Sequence, residues 1–346
     1  TMEKGNLLNI RDLSVEFNTD SGVVKAVNGM NLSLNKKETL GLVGETGAGK
    51  TTTALAILNL VPDPPGIISS GEIEFDGKDI LKTKEKDMRK IRGEKISMIF
   101  QDPMTSLNPV MTIGKQIEEV LALHTKLDKN GRKEKTLEML DLVGIRRERV
   151  NDYPHQLSGG MKQRIVIAMA LACNPEIIIA DEPTTALDVT IQAQVMELMK
   201  ELKSKFDTSI IMITHDLGVI AEIADKVAVV YAGEVVESGT TKDIYTDKKH
   251  PYTVGLFSSI PKLTGDVERL QVIPGMTPDP TNLPTGCKFH PRCTKCMEMC
   301  KTNEPPVYEV SPGHFVKCFL YKDGAMDIDG SKNEASEEIA SESEEK

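Results

Sequence analysis

Gly44-Glu45-Thr46-Gly47-Ala48-Gly49-Lys50-Thr51 fits the spacing GxxxxGK[ST]. Glycines at that spacing let backbone N–H groups wrap phosphate oxygens, and a helix starting at the lysine adds its positive end. Lys50 would neutralise phosphate charge, and the Thr51 hydroxyl would ligate Mg²⁺. A second group of chemistry-bearing residues ends the apolar run Ile177-Ile178-Ile179-Ala180 in two carboxylates, Asp181 and Glu182. The first could hold Mg²⁺ from the far side, and the second could take a proton from a water attacking a phosphate. A third, Leu157-Ser158-Gly159-Gly160-Met161, opens the helical run IVIAMALAC and offers another anion a hydroxyl, free N–H groups and a helix end. Two phosphate-binding helix starts in one chain make sense if the second serves a nucleotide held by another subunit.

The positions of these groups depend on the elements around them. The opening LLNIRDLSVEFNTDSGVVKAVNGMNLSLNKKE alternates apolar and polar residues between turn signals, which predicts antiparallel strands. LGLVG before the loop reads as an apolar strand, and IIIA before Asp181 and SIIMIT before His215 are short continuous apolar runs, as expected for strands buried on both faces of a parallel sheet. IQAQVMELMKELKSKF predicts an amphipathic helix between two of them, and VAVVYAGEVVESG predicts a hairpin turning at Ala232-Gly233. Residues 101 to about 170 read as mostly helical. Beyond residue 245 prolines multiply and periodicity weakens. The sequence therefore predicts an α/β core over 1–245 with a helical segment at 101–170, a loop-rich module over 246–322, and a disordered acidic tail over 323–346.

The chain has 346 residues and a net charge of −10, much of it in the acidic tail. That charge argues against a nucleic-acid partner, which normally meets a basic face. No stretch approaches the roughly 18 apolar residues of a spanning helix, and no secretion signal opens the sequence. A role at a membrane would be peripheral.

The motifs 44–51, Gln101, Leu157–Met161, Asp181-Glu182, Ala186-Leu187-Asp188 and His215 occur in the order and context of an ATP-binding cassette (ABC) ATPase, which residues 7–245 closely resemble. The resemblance implies a mixed sheet with an antiparallel β-subdomain and an inserted helical subdomain. It implies two such domains facing head to tail with two ATP molecules between them, the partner being a second homologous ATPase subunit or a second copy. ATP would be held by Phe17 stacking on adenine and by Gly44, Glu45, Thr46, Gly47, Ala48, Gly49, Lys50, Thr51 and Thr52. Ser158, Gly159 and Gly160 would meet the ATP of the opposite subunit, and Asp188 would link the two sites. Mg²⁺ would be held by Thr51, Gln101 and Asp181, with Glu182 as base and His215 and Gln101 completing the catalytic set. A core role for Phe17 remains open, since an aromatic in an alternating strand often packs inward.

IFQDPMTSLNPVMTIGKQIEE and ADEPTTALDVTIQAQ are similar to the dipeptide/oligopeptide permease ATPases, nearer the first than the second of their paired subunits. Such a protein would power peptide import at the cytoplasmic face of the membrane, through two permease subunits fed by an extracytoplasmic binding protein. Nickel or oligosaccharide import, and a soluble ABC-type ATPase acting on nucleic acid or ribosomes, are the alternatives.

Five of six cysteines follow residue 286, whereas Cys173 reads as a small core residue. An odd count without a secretion signal disfavours a disulfide framework. Spacing alone would favour zinc at Cys293-x-x-Cys296 with Cys300 or Cys287 and His290. The peptide-permease resemblance instead implies Cys287, Cys293, Cys300 and Cys318 as ligands of a [4Fe–4S] cluster, with zinc as the alternative.

Overall fold

The structure, a computed structural model, describes residues 6–185, 188–259 and 273–322. Ala186, Leu187 and the acidic segment 323–346 lie outside the described residues. Strands β1 (Asn6–Thr19), β2 (Gly22–Asn35), β4 (Gly66–Phe75) and β5 (Lys78–Asp79) form an antiparallel sheet in the order β2-β1-β4-β5. The alternation read from the sequence is the pleat of this sheet: Leu8, Ile10, Leu13, Val15, Val27, Met30 and Ile73 are buried.

The second sheet runs β11-β12-β10-β9-β3-β8-β7-β6. Its parallel part comprises β3 (Thr39–Val43), β6 (Ile96–Ile99), β7 (Ile177–Asp181), β8 (Ser209–Ile213) and β9 (Lys226–Tyr231). Every residue of β3, β7 and β8 is buried, which is why these runs are continuously apolar rather than alternating. Helix α1 (Lys50–Ile57) follows β3, α2 (Glu85–Ile91) precedes β6, and α7 (Val189–Phe206) and α8 (Leu217–Ile223) flank β8.

Between β6 and β7 lie α3 (Pro103–Ser106), α4 (Ile113–His124), α5 (Lys129–Leu142) and α6 (Gly159–Leu171), the helical segment expected from the sequence. From Ile165 onward the α6 side chains are apolar all round, because this part of the helix is enclosed: Ile165, Val166, Ile167, Ala168, Ala170 and Leu171 are buried.

The expected hairpin is formed by β9 and β10 (Glu234–Thr240), with Ala232 at φ 50° and Gly233 at φ 80°. Past it come α9 (Thr241–Thr246), α10 (Pro251–Ser258), α11 (Glu298–Thr302) and the short strands β11 (Tyr308–Ser311) and β12 (His314–Val316). Strand β12 pairs with β10, so the proline-rich C-terminal segment extends the main sheet.

A buried polar knot holds that segment. The Glu237 carboxylate accepts from the backbone N–H of Lys249 (2.7 Å) and His250 (2.8 Å) and from His314 Nε2 (2.8 Å). Glu237 and His314 side chains are both fully buried, so removing either would leave an uncompensated polar group at a cost of about 3–5 kcal/mol. His250 caps α10 by accepting the Tyr252 N–H on Nδ1 at 3.0 Å, which requires a neutral ring. Burial lowers its pKa to about 4, with Glu237 pulling the other way. The unfolded chain therefore takes up this proton first as pH falls, and the stability is complete above the unfolded value near 6.5 and lost between there and about 4. The full loss is about 3 kcal/mol. Asn at this position can accept the same N–H without titrating. Urea unfolding at pH 7 and pH 5 should thus show a smaller pH difference in His250→Asn than in the wild type; an identical difference contradicts this account.

Candidate functional site

The chemistry gathers at the carboxyl edge of neighbouring parallel strands, where open α/β sheets bind ligands. The loop 44–49 leaves β3, Asp181 ends β7, Gln101 follows β6 and His215 follows β8. Gly44 and Gly49 adopt φ 154° and 97°. A Cβ at Gly44 would overlap the Val230 carbonyl oxygen, and one at Gly49 the Ala26 carbonyl oxygen. The tight wrap of this loop is available to glycine at both places. Gly49 caps α1 without a side chain, leaving the first helical N–H groups for an anion.

Lys50 is buried, and its Nζ donates to the carbonyls of Gly44 (2.7 Å) and Glu45 (3.0 Å). Burial lowers the Lys50 pKa, while the carboxylates of Glu182, Asp181 and Glu45 pull it upward. Burial raises that of Asp181, opposed by a hydrogen bond from the Thr51 hydroxyl. The structure thus brings Lys50, Thr51, Asp181 and Glu182 together.

Glu182 has left-handed backbone geometry, φ 48°, fixed by its N–H donating to the Ile213 carbonyl at 2.8 Å. Gln101 Nε2 donates to Glu182 Oε2 at 2.8 Å, and the Thr185 hydroxyl to the same oxygen at 2.9 Å. His215 Nδ1 lies 3.2 Å from Oε1. Burial raises the Glu182 pKa, but the hydrogen bonds from His215 and Thr185 outweigh it and hold the carboxyl below its ordinary value. It is ionised at neutral pH, as a proton acceptor must be. Thr185 went unread in the sequence; a hydroxyl three residues past a carboxylate was its signal.

Other expected residues lie elsewhere. Ser158 caps α6 by accepting the Met161 N–H at 3.4 Å, and a Cβ on Gly160 would come within 2.5 Å of Ile191 Cγ2. Asp188 caps α7, accepting the Ile191 N–H at 2.9 Å. These contacts join the starts of α6 and α7 to each other rather than to the phosphate loop. Phe17 pairs with Val24 on β2 and Gly66 on β4, half-buried against the antiparallel core. Val24 stands two residues from Ala26, whose carbonyl abuts Gly49.

Cys287, Cys293, Cys300 and Cys318 line one small cavity with Phe289, Met297 and Phe319. None is in a disulfide. Burial pushes Cys318 up to about 12 and Cys293 to about 11, and negative charge on the neighbouring thiols pushes both the same way. Cys296 is not among the residues lining the cavity; its thiol donates to the Met297 carbonyl at 3.6 Å. Cys173 packs against the main core, as expected, and burial raises it to about 11. Among the described residues no group of three or more His, Cys, Asp or Glu is arranged to hold a metal ion. None of the described helices is long and apolar enough to cross a membrane.

A phosphate loop, a strand-end carboxylate pair, and a glutamine and histidine bonded to the second carboxylate define a P-loop nucleotide hydrolase. Residues 27–185 match the family described as ABC transporter, and residues 236–300 match the oligopeptide/dipeptide transporter C-terminal region. An oligopeptide transport ATP-binding protein, OppD of Bacillus subtilis, is 54% identical over 326 residues, spanning 93% of this chain and 91% of the relative. OppD of Escherichia coli is 50% identical over 90% of this chain and 93% of the relative, and the dipeptide transport ATP-binding protein DppD of B. subtilis is 50% identical over 92% and 95%. A dimeric ATP-binding cassette in a post-hydrolysis state, bound to ADP and Pi, superposes with TM-score 0.61 at 29% identity, covering 68% of this chain and 98% of that one. The chain belongs to the ABC transporter family and is an ATPase of the cassette type.

Proposed function

We propose that this chain is the ATP-hydrolysing subunit of an importer of di- and oligopeptides. It works at the cytoplasmic face of the membrane against two permease subunits, with an extracytoplasmic peptide-binding protein supplying the cargo. The observation that carries the reading is the match over 236–300 to a peptide-transporter C-terminal region, joined to a complete catalytic set around Glu182. ATP lies with its β- and γ-phosphates in residues 44–52 and its adenine on Phe17. Glu182 takes the proton of the attacking water, while Gln101 and His215 hold the carboxylate and water in line. Thr51, Gln101 and Asp181 would hold Mg²⁺, which would supply positive charge to the phosphates. Ser158, Gly159 and Gly160 meet the ATP of a second homologous subunit or second copy, and Asp188 couples the two sites.

Four free cysteines line one cavity, and they are the four that the peptide-permease resemblance implies as ligands. We therefore assign Cys287, Cys293, Cys300 and Cys318 to a [4Fe–4S] cluster, which would staple this loop-rich segment. Zinc, which four thiolates can also hold, is the alternative. Anaerobic purification should yield a brown protein with equal iron and acid-labile sulfide; a colourless protein holding one zinc contradicts the assignment.

The transport reading is tested in cells lacking this subunit. Restoring it should restore uptake of a labelled tripeptide and leave nickel and oligosaccharide uptake unchanged. Uptake of either of those instead, or recovery of the protein on ribosomes or DNA with no membrane partner, contradicts it.

A further inference from the structure

Glu45 puts a carboxylate into the polyphosphate cradle. Its carboxylate lies close enough to Lys50 to act on that ammonium, and unbalanced it would repel the phosphates Lys50 must attract. The balance comes from 247 positions away. Arg292, buried to 7% exposure, grips the carboxylate with both arms: Nη1 to Oε2 at 2.6 Å and Nη2 to Oε1 at 3.0 Å. A bidentate fork of this kind fixes orientation as well as charge.

Arg292 is itself held. Its Nε donates to the Pro274 carbonyl at 3.1 Å, Nη1 reaches the Tyr231 hydroxyl at 3.4 Å, and the guanidinium lies 5.8 Å over the Tyr231 ring. Tyr252 supplies a second anchor by accepting the Glu45 N–H on its hydroxyl at 2.9 Å. Phe289 packs edge-on against Tyr231 at 5.1 Å and tilted against Tyr252 at 5.4 Å. The phosphate loop is thus braced from behind by residues 252, 274, 289 and 292 of the C-terminal segment. A second brace comes from the β9–β10 turn, where the Gly233 N–H donates to the Ala48 carbonyl at 3.0 Å.

We propose that Arg292 is a positioning residue for ATP binding: it neutralises and fixes the Glu45 carboxylate, so that the phosphate loop accepts polyphosphate at full affinity only while the C-terminal segment is docked. It rests on the ATP site assigned above, and adds a direction of control. Whatever loosens the segment around residues 287–293 weakens nucleotide binding, and by linkage bound nucleotide tightens that segment.

The test uses the full chain in its assembled transporter, with AMP-PNP and ADP as probes. Arg292→Met should weaken AMP-PNP binding about tenfold and ADP binding less, since ADP carries less charge past Glu45. The KM for ATP should rise while kcat at saturating ATP stays within about twofold. Adding Glu45→Gln to Arg292→Met should recover most of the affinity, because no unpaired carboxylate remains. Arg292→Lys keeps the charge but loses the fork, and should fall about threefold below wild type with unchanged thermal unfolding. Wild-type AMP-PNP affinity in Arg292→Met or Arg292→Lys, or no recovery in the double variant, overturns the proposal. Failure of the ATP-site reading looks different: the wild type itself would not bind AMP-PNP.

Discussion

Glu182→Gln is expected to lower steady-state ATP turnover by about 10²–10⁴-fold while leaving ATP binding intact, the range a positioned general base contributes. The substitution is nearly isosteric, and the amide oxygen can still accept from Gln101 and Thr185, which now share Oε2 at 2.8 and 2.9 Å. What is lost is the negative charge that draws the proton from the attacking water. The three hydrogen-bonding partners that hold this carboxyl, with the backbone N–H bonded to Ile213 and the left-handed backbone at φ 48°, show how firmly its position is specified. The variant should accumulate as a closed, ATP-bound dimer, detectable by size and by retained nucleotide after gel filtration. Turnover within a few-fold of wild type, in the presence of the partner subunits, would remove Glu182 from the role of base.

Lys50→Met should abolish useful nucleotide affinity, with a loss of about 100-fold or more. Lys50 faces the charges of Asp181, Glu182 and Glu45, and it supplies the positive charge among them that reaches into the loop. Without it the carboxylates repel the polyphosphate, and a charge-assisted hydrogen bond worth about 1.5–3 kcal/mol is also gone. Because Met keeps the buried stem, the fold should survive, and calorimetric ATP binding separates the two effects. A native unfolding temperature with no detectable binding is the expected pair; undiminished binding contradicts the assigned role.

Much of this site was legible because its parts are local. The strand, glycine turn and helix around residues 39–57 announce themselves within one short stretch, and so does the buried run ending in Asp181-Glu182. Continuous apolar runs located β7 and β8, and their parallel pairing explains how carboxylates and His215 from separate segments share one edge. The C-terminal segment resisted the same reading. Strands β11 and β12 are only 4 and 3 residues long, too short for a period, and β12 finds its partner on β10, far upstream. The buried His314 makes sense once Glu237 is placed beside it, 77 positions earlier. Spacing among the cysteines pointed to Cys293 and Cys296, whereas the fold sends Cys293 to the common cavity without Cys296. Arg292 stands in the cysteine stretch beside Cys293, but its pairing went unread: its partner is in the phosphate loop, and nothing along the chain connects them.

The most direct test is ATP hydrolysis and peptide uptake measured together in proteoliposomes containing this chain with the proposed partner ATPase and permease subunits, and with the proposed binding protein added outside. The account predicts that peptide raises both activities in step and that Glu182→Gln in this chain removes both. Hydrolysis indifferent to peptide, or uptake persisting in the Glu182→Gln assembly, would contradict it.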